Sequence, residues 1–178
     1  MHRTTRTAAF AGLLAALAAP AAAFEVASAS LHADGRLDAA QAYDGHGCGG
    51  ANISPEVHWR AAPAATRSFA LTLFDPDARG GRGWWHWLVL DLPATQRALA
   101  AGATLPAGAR TWRNSFGESG YGGPCPPIGD APHHYVLTLY ALRDATLALP
   151  PDADAARVAA LLQADALASA RWVGPYAR

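Results

Sequence analysis

The chain has 178 residues, enough for one domain and few for two. Hydrophobic residues make up 51% and charged residues 16%, a globular composition that excludes a disordered chain. Fourteen basic residues, all Arg, balance fourteen acidic ones, which argues against a sequence-independent grip on nucleic acid or on anionic membrane surfaces and removes lysine chemistry.

Residues 1–23 read as an export address. Arg3 and Arg6 form a basic start, Ala8 to Ala19 an apolar stretch too short to span a bilayer, and Ala21-Ala22-Ala23 a small-residue cleavage site. The competing reading is a buried N-terminal Ala/Leu helix. Removal of the address leaves a single expected domain over residues 24–178, with twelve Arg against fourteen acids and no second apolar span. The expected location is the periplasm or outside the cell. That compartment favours a disulfide between Cys48 in HGCGG and Cys125 in GGPCPP, worth roughly 4.5 kcal/mol by chain entropy alone. Two free buried thiols are the plainer alternative, and a Cys125 nucleophile beside His133 is a third.

Residues 35–65 read as loop. Arg67 to Phe74 is a strand candidate with apolar residues on both faces, which predicts cover on both sides, and it ends at Asp75-Pro76. Trp84 to Leu92 is a second strand, stopped by Pro93. Residues 94–111 are Ala/Gly-rich and carry no pattern. Residues 114–132 form a long loop with five Gly and four Pro, and His133 to Leu142 is a third strand. A helix is predicted over 154–165, capped by Asp152 or Asp154, with Val158, Leu161 and Leu162 on one face. The remaining segment either continues the helix or, given Val173-Gly174-Pro175, runs extended. The sum is a mainly β protein rather than an alternating βαβ chain.

Strand periodicity puts His133 and Tyr135 on one face, about 7 Å apart along the chain, and His134 on the other. His86 has the parity of Leu88 and Leu90, so it is expected to point into an apolar layer as a core histidine. Asp75, before a proline at a strand end, reads first as a turn-stabilising residue.

Taken together, DPDA, WWHW, GYGGPCPP and HHY, with Gly50, Asn52, Ser54 and Pro55 ahead of them and ALASARWVGPY at the end, resemble the phosphatidylethanolamine-binding protein family. The similar branch is bacterial and described as Raf-kinase-inhibitor-like, and the resemblance covers about residues 30–178. It implies a large central β-sheet with a smaller second sheet and one or two short helices. It also implies a small pocket for phosphate, phosphoethanolamine-like or carboxylate ligands. Carried over by position, the ligand-binding residues are Asp75, Trp84, His86, Gly123, Pro124, Cys125, Pro127, His133 and Tyr135. Loop N–H groups, and a protonated His or a neutral His N–H at His86 and His133, are expected to donate to the anion. A Cys48–Cys125 bridge is implied to pin the pocket wall. Arg79 stands where the family has proline, and either adds a cation or faces solvent; His134 replaces the usual Arg. Nothing after Tyr176 matches the C-terminal helix of eukaryotic relatives, so an open pocket is expected. The implied function is binding rather than catalysis, with no cofactor, no metal, no nucleic acid and a possible protein partner. The alternatives are an inhibitor of an extracytoplasmic protease or signalling enzyme, and a hydrolase using Asp75, His86 and His133 as zinc ligands or as an acid/base set.

Overall fold

A computed structural model describes residues 22–32 and 35–178. The expected export address therefore lies almost wholly outside the described residues. The described residues form eight strands: β1 Glu25–Ala27, β2 Val57–Arg60, β3 Ser68–Asp75, β4 Trp84–Pro93, β5 Ala98–Leu99, β6 Arg110–Thr111, β7 His133–Leu142 and β8 Ala166–Tyr176. A short helical turn, α1 (Ala78–Gly81), joins β3 to β4, and α2 (Ala155–Asp165) precedes β8.

The strands form two antiparallel sheets. The large one has the order β6-β4-β3-β7-β8 and the small one β1-β2-β5. Strand β3 lies at the centre of the large sheet, and both its faces are covered, as its apolar composition requires. On one side Phe69, Leu71 and Leu73 pack with Leu137 and Leu139 of β7 against Val57, Trp59 and Leu99 of the small sheet. On the other, Ala70, Leu88, Leu90, Tyr140 and Leu142 pack beneath Val158 and Leu162 of α2. Phe24 already stacks on Phe69, with ring centroids 6.2 Å apart. Among the described residues no helix is long and apolar enough to cross a membrane.

Three segments differ from the sequence reading. Residues 35–65 are not all loop, since β2 alternates buried Val57 and Trp59 with exposed His58 and Arg60. The patternless stretch 94–111 contributes β5 and β6, each only two residues long, too short to leave a periodic signal. At the end of the chain the extended alternative holds, as a paired strand rather than a tail. The helix stops at Asp165, and β8 pairs with β7 from Ala166 opposite Leu142 to Tyr176 opposite His133. Along β8, Ala170, Trp172 and Gly174 are buried while Ser169, Arg171 and Val173 are exposed. Sheet pairing and burial of Trp172 override the helix preference of the alanines. Asp154 is the N-cap of α2, accepting from the Arg157 N–H at 2.7 Å.

Candidate functional site

The site gathers where β3 ends, β4 begins and β7 begins. These three strand ends are neighbours because β3 pairs antiparallel with both others. Asp75, the last residue of β3, is buried. Its Oδ1 accepts from the N–H groups of Asp77 and Ala78 at 2.9 and 3.1 Å, which makes the DPDA turn. Its Oδ2 accepts from His133 Nδ1 at 2.7 Å. The turn role and the site role thus belong to one carboxylate, through its two oxygens.

His133 and Tyr135 share a face of β7, and both are buried. Burial works against charge on His133, but the hydrogen bond and charge of Asp75, with Asp130 and Asp77 beyond, raise its pKa above the ordinary value. With Nδ1 on Asp75, His133 Nε2 faces the cavity, where the Asp130 carboxylate stands 3.5 Å away. The Tyr135 hydroxyl is buried beside the Asp75 carboxylate and the Cys125 backbone, and burial, then Asp75, push its pKa up. His134 is exposed on the opposite side, held by Asp77 at 2.9 Å.

His86 corrects the parity argument. Phe74 lies opposite Trp85 and Leu73 opposite Trp87, so His86 is an extra residue in β4, a β-bulge. The bulge turns His86 off the face of Leu88 and Leu90 and onto that of Tyr135, with ring centroids 5.1 Å apart. Burial lowers its pKa to about 4. Its Nδ1 lies 2.6 Å from the Gly122 carbonyl, which can only accept, so Nδ1 carries the proton and Nε2 the lone pair. Of the two donors expected of His86, burial disfavours the protonated ring and the Gly122 carbonyl takes the neutral N–H.

The expected rim of loop N–H donors is corrected too. The Gly122 N–H donates to the His86 carbonyl at 2.9 Å and that of Gly123 to Asn52 Oδ1 at 2.8 Å. Pro124, Pro126 and Pro127 have none, leaving Cys125. Gly123 and Pro124 do not line the cavity; they seat the loop on the segment 41–43. The Pro124 carbonyl accepts from Tyr43 N–H at 3.0 Å, and a Cβ on Gly123 would collide with the Gln41 carbonyl oxygen. Cys125 does line it, and its disulfide to Cys48, with Cα atoms 5.5 Å apart, ties the loop to the segment around Gly47.

These groups surround a cavity of about 560 Å³. Asp75, Trp84, His86, Cys125, Pro127, His133 and Tyr135 all line it. So do residues that sequence reasoning did not assign, among them His46, Asp77, Phe116, Asp130 and Arg178. Asp130 lies three residues before His133 and was within reach of a closer reading; Phe116 and Arg178 carry no local signal. Arg178 donates to the carbonyls of Pro126 at 2.7 Å and Gly47 at 3.0 Å. Arg79 sits at the mouth with its guanidinium carbon 5.3 Å from the Trp84 ring centroid. No group of three or more His, Cys, Asp or Glu among the described residues is arranged to hold a metal ion.

The sequence model of the family described as phosphatidylethanolamine-binding protein matches residues 27–177. The protein YbcL of Escherichia coli is 42% identical over 164 residues, which span 89% of this chain and 90% of that one. YbhB, also of Escherichia coli, is 41% identical over 133 residues, 72% of this chain and 84% of the other. The crystal structure of Escherichia coli YbcL superposes with a TM-score of 0.82 at 39% identity, covering 88% of this chain and 99% of that one.

Proposed function

The chain belongs to the phosphatidylethanolamine-binding protein family, and from that membership and the geometry of the site we propose that it is an exported protein that binds a small anion, a phosphoryl group or a carboxylate, in the cavity of Asp75, His133 and Tyr135. The observation that carries this reading is the buried His133–Asp75 pair beside the buried hydroxyl of Tyr135, all lining one cavity. A protonated imidazole lining a cavity favours an anion, through a charge-assisted hydrogen bond to the ligand's oxygen. Arg79 and Arg178 at the mouth add positive charge. The Cys48–Cys125 disulfide supports export. The sulfur in the wall, Cys125, is tied up in that disulfide, which argues against a Cys125 nucleophile.

Titration calorimetry of inorganic phosphate and phosphoethanolamine tests it. His133→Ala weakens binding about tenfold or more, the loss expected for one charge-assisted hydrogen bond, while His134→Ala changes it less than about twofold. Affinity falls as pH rises through the raised pKa of His133, because the imidazolium is the binding form. Equal losses from the two variants, or affinity independent of pH, sink the reading.

A further inference from the structure

The polar atoms facing the cavity are of two kinds. His133 Nε2–H and the Tyr135 hydroxyl can donate. The Asp130 carboxylate and His86 Nε2 accept: a carboxylate has oxygens and no proton to give, and the single proton of a neutral His86 is on Nδ1. Asp130 is the decisive one. Its Oδ2 stands 3.5 Å from His133 Nε2, where an anion receiving that N–H must come. It sits on the exposed turn that follows Pro127 and is half-exposed itself, so it can shift to share the position without leaving it.

An anion oxygen and a carboxylate oxygen brought together repel unless a proton lies between them. Near neutral pH phosphate monoesters, with a second pKa of about 6, still hold one in part, and inorganic phosphate, the weaker acid, holds it more fully. Sulfate, of the same shape, holds none. A site that hydrogen-bonds a ligand's own N–H or O–H discriminates strongly against an analogue lacking it, since the acceptor is then left unpaired.

We propose, on the reading that the cavity binds anions, that its ligand must bring its own hydrogen-bond donor, a protonated phosphoryl group or an anion joined to an ammonium, and that Asp130 sets this requirement. The two sources of such chemistry are free phosphate and a lipid headgroup that carries an amine.

The test is calorimetric titration of the full oxidised protein, at about pH 6.5, with inorganic phosphate, sulfate, glycerophosphoethanolamine and dimethyl phosphate. Phosphate and glycerophosphoethanolamine bind at least about tenfold tighter than sulfate and dimethyl phosphate, which have the charge and no donor. Either order between the two binders supports the requirement and tells a free phosphate from a headgroup. Asp130→Asn removes a charge, which raises affinity for every anion alike, and supplies an amide donor; the phosphate-to-sulfate ratio is therefore the informative quantity, and it falls by at least about threefold. Equal binding of phosphate and sulfate, or a ratio unmoved by Asp130→Asn, overturns the proposal and leaves the anion site standing. No binding by any of the four ligands overturns the anion site itself.

Discussion

His86 shows how burial assigns protonation. Its folded pKa of about 4 lies below the ordinary 6.5, so the folded state binds fewer protons than the unfolded one over that interval. The stability this represents is complete above about pH 6.5 and is lost as pH falls toward 4, a drop of roughly 3 kcal/mol. His133 has the opposite sign. Its raised pKa contributes stability below pH about 6.5 that fades as pH rises through the folded value. Urea titrations across this range therefore show a steep acid limb in the native protein. His86→Gln, which keeps a polar side chain that does not titrate, flattens the limb. A limb of unchanged slope in that variant would mean that another group carries the acid transition.

At the scale of elements, the wall of the cavity is a loop made rigid from outside. Residues 114–132 have no regular structure of their own, yet the Gly122 amide is bonded to His86, that of Gly123 to Asn52, and Cys125 to Cys48. Cys48→Ser with Cys125→Ser lowers stability by about 2–4 kcal/mol, read as a shift in the denaturation midpoint at unchanged slope. It also weakens phosphate, since Cys125 and Pro127 are free to move. A double variant as stable as the parent would show that the hydrogen bonds suffice. Asn52 is the other anchor: its amide nitrogen donates to the Tyr121 carbonyl at 3.3 Å while its oxygen accepts from Gly123. This gives the short motif around Gly50 and Pro55 its purpose.

Across the whole molecule, one five-stranded sheet separates two cores, one beneath the small sheet and one beneath α2. Because β3, β4 and β7 line both, the cores cannot melt independently. Leu162, fully buried under the helix, and Leu139, fully buried on the opposite side, test this. Replacing either with Ala costs about 2–5 kcal/mol and moves tryptophan fluorescence and far-ultraviolet circular dichroism together. Two separated transitions in Leu162→Ala would show that the helix layer unfolds alone.

The three long strands, the helix and its cap were legible in the sequence because each is long enough to repeat a pattern, and His133 and Tyr135 share a face by periodicity alone. The family's two-sheet architecture followed from ordered motifs. The short strands β1, β2, β5 and β6 were not legible, since two to four residues carry no period and form only where a partner edge waits. His86 was misread from parity, because one bulged residue reverses the face and register is a property of the pair, not of the strand. Its charge state stays open in the sequence for a related reason: burial is decided by what packs around the ring. Phe116 and Arg178 reach the cavity from segments far away in the chain, and Asp130 faces His133 only because the loop folds back over it. Sequence determines which groups can exchange protons and hydrogen bonds; the tertiary structure alone decides which of them meet, and in which charge state.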